Sequence, residues 1–163
     1  MLNTAASWAL IATPVIIGIG LYFAYRECQS MRNARTAQVI VSLMNIWDST
    51  EMAESRQKVT ESGKNLQKDY EAADKINGIE VFTSFTRVAN FFDGLGALVT
   101  EGLLDCYVAY DIWGKAEKYY YGIYEPMITS EQYQGYVQYF SKLHALFIQE
   151  EARRSKVKKR RAS

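Results

Sequence analysis

Apolar positions follow two patterns along this chain. From Ala5 to Tyr25 they form a nearly continuous run of 21 residues, AASWALIATPVIIGIGLYFAY, with no charged side chain. From Arg26 onward they recur every three or four positions among polar and charged residues, the spacing of helices that each bury one stripe. A helix rises about 1.5 Å per residue, so about 20 residues cross the hydrocarbon of a bilayer. Eight of the 21 are Leu, Ile, Val or Phe, together worth roughly −3 to −4 kcal/mol of insertion against mild penalties at Ser7, Thr13, Pro14 and the glycines. Trp8 near one end and Tyr22 and Tyr25 near the other suit the headgroup level. Pro14 removes one backbone donor and can bend the helix.

The run reads as a transmembrane anchor rather than a cleaved leader. No Lys or Arg precedes it, it exceeds the usual length of a leader's apolar region, and no small-residue cleavage pattern follows before Arg26. Arg26, Arg32 and Arg35 follow it closely, and basic flanks stay on the side of synthesis. The expectation is a single-pass protein of the cell membrane, N-terminus outside, with everything from Arg26 onward cytoplasmic.

Helical spacing then sets the remaining elements. Val39, Leu43, Ile46 and Trp47 share a face, so the anchor can run on into the first helix of a bundle. Asp48 and Glu51 have the spacing of a capping box for a helix over residues 50–74, with Met52, Val59, Leu66 and Ala73 as its thin apolar stripe and Gly63 weakening its middle. Asn77-Gly78 marks a turn. Ile79, Phe82, Phe85, Val88, Phe92, Leu95 and Val99 make the next helix the central one. Gly94 and Gly96 allow another helix to approach closely, Gly102 can end the helix in the left-handed conformation, and Asp105 is the natural N-cap of its successor. That successor should stop at Glu125-Pro126, since the residue before proline is pushed out of helical geometry. Thr129 and Gln132 again have capping-box spacing, ahead of a stripe of Tyr133, Tyr136, Val137, Phe140, Leu143 and Phe147. The expected fold is all-α: one N-terminal transmembrane helix continuing into a cytoplasmic bundle of about four further helices.

Charge adds a third segment. Arg153, Arg154, Lys156, Lys158, Lys159, Arg160 and Arg161 place seven basic side chains in nine positions, leaving 12 basic against 18 acidic residues over 1–152. The organisation expected is 1–25 extracytoplasmic N-terminus and span, 26–152 bundle, 153–163 basic disordered tail. Two cysteines, Cys28 and Cys106, cannot build a disulfide framework and fit a reducing compartment. Cys28, just inside the expected interface, reads as a plain thiol, although juxtamembrane cysteines can be palmitoylated.

The stretch FFDGLGALVTEGLLD, from Phe91 to Asp105, with Ile46-Trp47 before it and Tyr107, Tyr110, Trp113 and Tyr139-Phe140-xx-Leu143 after it, resembles an uncharacterised prokaryotic family. Its members are short proteins with an N-terminal membrane span and a helical domain of unknown function. The resemblance spans roughly Thr36 to Phe147, implies the same architecture, and carries no activity.

Candidate chemistry is sparse. Asp93, Glu101 and Asp105 surround the glycine-rich turn, where capping explains them better than a metal or acid-base pair, since the Glu-x-x-His pattern of di-iron bundles is missing. The single histidine, His144, lies beside the last apolar stripe with no Cys or Asp spaced to orient it. No phosphate loop and no G-x-S-x-G elbow occurs. The sequence therefore points to no catalytic residue, metal or cofactor, and to no enzyme. Tyr119, Tyr120, Tyr121 and Tyr124 cannot all face one core, and read either as a partner surface or as a tyrosine-rich bundle layer. Gly20 and Ala24 have small-xxx-small spacing for packing within a membrane. The basic tail can meet anionic lipid or nucleic acid, or remain solvated. The function expected is a membrane-tethered helical interaction module, an accessory subunit or scaffold of a membrane-associated complex, with the bilayer and a protein partner or a second copy as its contacts. The alternative is a membrane-anchored stress or phage-defence component touching nucleic acid or ribosomes through the tail.

Overall fold

The computed structural model describes residues 2–65, 68, 69, 72, 79–130, 135 and 137–162, and gives the backbone alone for 2–18, 64, 79–81, 161 and 162. The elements are α1 (Leu2–Trp47), α2 (Thr50–Ser62) with a 3-10 turn (Gly63–Asn65), α3 (Ile79–Thr100), α4 (Cys106–Ile128) and α5 (Gln138–Ala162). Among the described residues every regular element is a helix and there is no strand. The chain divides into two compact units, residues 1–42 and residues 43–163.

The first unit is the body of α1. Ile19, Leu21, Tyr22, Phe23 and Tyr25 are all exposed on it. Among the described residues no helix is long and apolar enough to cross a membrane. The side chains of residues 2–18, which make up most of the uncharged run, lie outside that description.

In the second unit α3 is central, packing on α2 and most extensively on α5, with α4 also against α5. Phe85, Val88, Phe92, Leu95 and Val99 of α3 are buried, as the three-to-four spacing predicts. Trp47, at the end of α1, lies 4.8 Å from the Phe91 ring and 5.5 Å from the Phe92 ring. Phe92 stacks on Phe140 at 5.0 Å. Each aromatic pair of this kind adds about 0.5–1.5 kcal/mol beyond burial.

The ends of the elements refine the expectations. Ser49, not Asp48, caps α2, its side chain accepting from the Met52 N–H at 3.3 Å. Gly63, in the left-handed region at φ 50°, terminates α2 instead of weakening its middle. Met52 and Val59 are buried as expected, while Leu66 and Ala73 lie outside the described residues. Gly102, at φ 69°, ends α3 and turns the Leu103 and Leu104 N–H groups back onto the Leu98 carbonyl at 2.9 and 3.1 Å. Asp105 caps α4, accepting from the Tyr107 N–H at 2.7 Å.

Two boundaries are corrected. α4 continues through Pro126 to Ile128, and Thr129 closes its end, the hydroxyl donating to the Glu125 carbonyl at 2.8 Å. Proline one turn from a helix end removes a single backbone bond, which the terminal hydrogen bonds offset. Thr129 thus finishes one helix rather than starting the next; Gln132, Tyr133 and Tyr136 fall outside the described residues. The tail is the second correction. α5 runs to Ala162, past position 152, because Arg and Lys are good helix formers and Glu150 pairs with Arg153 and Arg154 one turn on.

Candidate functional site

The two glycines of α3 lie on different faces. Gly96 packs against α5 so closely that an added Cβ would overlap the Tyr139 carbonyl, whereas a Cβ on Gly94 meets nothing within 4 Å. The expected close approach at the glycine pair therefore exists at Gly96 and is unfilled at Gly94.

The Gly94 face lines an open groove of about 740 Å³. One wall is the ridge Phe82, Thr86, Asn90, Gly94, Leu98, every fourth residue of α3, which runs for about 24 Å at 1.5 Å per residue. Leu43 and Ile46, at the end of α1, and Met52 of α2 form the facing side. Ile46 is 50% exposed. Arg87 stands at the rim, donating to the Glu51 carbonyl at 3.2 Å and the Ser55 hydroxyl at 3.1 Å, and it also lines an adjoining recess with Asn45 and Glu51. An unfilled apolar channel with a cation at its edge suits an amphipathic helix carrying an acid.

On the other side of α3, a buried polar pair joins α4 to α5. Glu117 sits at 1% exposure in the apolar stripe of Trp113, Tyr120 and Tyr124, with a carboxylate oxygen 3.0 Å from His144 Nδ1. The Tyr121 ring lies flat over the imidazole, 3.6 Å between centroids. Burial pushes the Glu117 carboxyl up to about 8, against a small opposing pull from Lys118. Burial also lowers His144, opposed by Glu125. Both shifts favour the neutral forms of the two groups, which then share a hydrogen bond between the carboxyl and Nδ1. This pair was missed from sequence; an acid inside an apolar stripe, four residues from Trp113 and three from Tyr120, was the available signal.

The remaining candidates separate. Tyr120 and Tyr124 are core residues at 7% and 3% exposure, the Tyr124 hydroxyl donating to the Phe85 carbonyl at 2.6 Å. Tyr121 covers His144, and Tyr119 alone of the four is well exposed. The four-tyrosine partner surface does not form, because 120 and 124 follow the stripe of Trp113 and Glu117 while 119 falls outside it. Asp93 accepts from the backbone N–H groups of Tyr139 and Phe140 at 2.8 and 3.0 Å, so it caps α5 from across the bundle. Glu101 is exposed at the end of α3. Gly20 and Ala24 are both exposed.

The basic residues also divide. Arg154 lies between the Tyr107 and Tyr110 rings, its guanidinium carbon 4.3 and 4.6 Å from their centroids, and donates to Asp111, to Glu150 at 2.7 Å and to the Tyr107 carbonyl at 3.2 Å. Arg153 holds the other side of Glu150 at 2.7 and 2.8 Å. Hydrogen bonds from Arg153, and then Arg154, pull the Glu150 carboxyl down to about 2. Beyond them, residues 155–160 are exposed.

A family model described as a domain of unknown function (DUF4760) matches residues 6–149. No curated protein and no solved structure matches.

Proposed function

Because the chain belongs to the DUF4760 family, whose description assigns no activity, we propose a role from its own residues: a membrane-tethered helical interaction module. It serves as an accessory subunit or scaffold of a membrane-associated complex, and its α3 groove takes a helix of a protein partner. The observation that carries this is the open groove lined by the ridge from Phe82 to Leu98, bare at Gly94 and bordered by Leu43 and Ile46. Its 24 Å length, at about 1.5 Å per residue, matches some 16 residues of helix. The bare Gly94 lets two backbones approach as side chains at other positions do not allow. Arg87 at the rim selects an occupant with an acidic residue beside its apolar face.

The tether rests on the uncharged run before Arg26 and on α1 itself. Its exposed Ile19, Leu21, Tyr22, Phe23 and Tyr25 are distributed around the helix rather than along one stripe. A helix apolar on every side belongs in a protein interior or in lipid. Arg26, Arg32 and Arg35 then hold residues 43–163 on the cytoplasmic side, and Gly20 and Ala24 offer a seam for lateral packing. A binding role is favoured over catalysis because the polar groups already have structural partners. Glu117 and His144 engage each other under Tyr121, and Asp93 and Asp105 cap helices.

The experiment is a photocrosslinking amino acid at Asn90, on the groove ridge, in the full chain in its native membrane. One discrete protein should be captured, a peptide copying its contacting helix should compete, and Gly94→Trp should abolish the adduct while leaving thermal unfolding unchanged. Capture scattered over unrelated proteins, or an adduct indifferent to Gly94→Trp, would overturn the groove. Release of the uncleaved chain by alkaline carbonate would overturn the tether.

A further inference from the structure

The last turns of α5 carry their side chains exposed from Ser155 to Arg160. Just before them, Arg154 is clasped by Tyr107, Tyr110, Asp111 and Glu150. From Ser155 to Arg160 every residue is exposed, yet the backbone stays helical. Lys156, Lys158 and Lys159 have no ion-pair partner among the described residues. Helix-dipole stabilisation of cations reaches only about the last turn, so it does not account for Lys156 or Lys158.

The placement of charge around this extension is informative. At about 100° per residue, Lys156 and Arg160 lie on the side of Arg153, Lys158 lies about 160° away from Lys156, and Lys159 falls between. The cations thus face several directions. A helix lying on a membrane surface keeps an apolar face for the acyl boundary, and here Val157 is the one large apolar side chain between Ser155 and Arg160. A B-form major groove is about 12 Å wide, admits a helix of about 10–12 Å diameter, and carries phosphates on both walls.

We propose that this anchored basic helix binds duplex DNA by lying in a major groove and contacting phosphates on both sides. The segment has no Asn or Gln to read adenine, so binding is independent of sequence. The deep, narrow major groove of A-form RNA does not admit it.

The test uses the full chain in mild detergent and fluorescence anisotropy on two labelled DNA duplexes of unrelated sequence, a matched duplex RNA, and vesicles containing phosphatidylserine. Four phosphate contacts give a log–log salt slope of about −3.6, a loss of roughly 150-fold in affinity between about 50 and about 200 mM salt. Lys158→Gln alone, and Lys156→Gln with Arg160→Gln, should each reduce the slope, by about one and about two contacts. Val157→Pro keeps every charge but breaks the helix, and should weaken binding at least tenfold while thermal unfolding of the bundle is unchanged. Equal affinity for duplex RNA, preference for the vesicles, or full binding by Val157→Pro would each overturn the proposal.

Discussion

The two sides of α3 are built from one helix and one glycine-rich turn, yet one is filled and the other is bare. On the Gly96 side α5 comes close enough to touch backbone, Asp93 supplies the hydrogen-bond acceptor for two α5 N–H groups, and the Glu117–His144 pair fastens α4 to α5 beside them. On the Gly94 side the ridge from Phe82 to Leu98 lines an open groove. A helix interior ordinarily replaces glycine with a better former, since glycine costs about 1 kcal/mol there relative to alanine. At Gly96 the need for glycine is satisfied within the chain. At Gly94 it is not, and this asymmetry points outward.

Substitutions separate the sides, beginning with the largest effect. Gly96→Val should unfold the bundle or destabilise it by more than about 4 kcal/mol, because the added atoms have only the Tyr139 backbone to displace; retention of the native melting temperature would show that α5 does not sit there. Asp93→Ala should cost about 1–2 kcal/mol, the value of a lost cap, read as a lower midpoint in urea with an unchanged slope.

The pH dependence on the filled side has a definite sign. Glu117 is raised to about 8 in the folded protein from an ordinary value of 4.5, so its contribution is fully present below 4.5 and is lost as pH rises toward 8. His144 is lowered from 6.5, so its contribution is lost as pH falls below 6.5 and does not change above it. Between pH 6.5 and 8 Glu117 therefore acts alone, and stability should fall by about 1–2 kcal/mol. Glu117→Gln should flatten that window in thermal melts taken at each pH; the same decline in the variant would place the titrating group elsewhere. The smallest effect belongs to the bare side. Gly94→Ala should stabilise the isolated protein by about 0.5–1 kcal/mol, since nothing opposes the methyl group, and should at the same time weaken capture of the partner helix.

Much of the bundle was legible because helical burial is periodic. Phe85, Val88, Phe92, Phe140, Leu143 and Phe147 are buried as their spacing requires, and Gly102 and Asp105 mark their turn by local chemistry alone. The misplacements came where tertiary contacts overrule local signals. Thr129 has a capping-box spacing with Gln132, yet its hydroxyl finds the end of the preceding helix first. The basic tail read as disordered on composition, but Tyr107 and Tyr110 are brought to Arg154 by a helix far away in sequence. Glu117 and His144 are 27 positions apart, and only the packing of α4 on α5 makes them a pair. The Gly94 and Gly96 residues were equivalent as letters; which one is occupied depends on the direction from which α5 arrives.

Asp93 also constrains the order in which the chain can mature. The start of α5 borrows its acceptor from a residue 46 and 47 positions earlier, where most helices use a neighbour. A ribosome must therefore release residue 140 before that junction can close, and until then water rather than α5 solvates the Asp93 carboxylate and Gly96 stays uncovered. The start of the last helix is in effect a latch that is thrown only after α3 and α4 have left the tunnel.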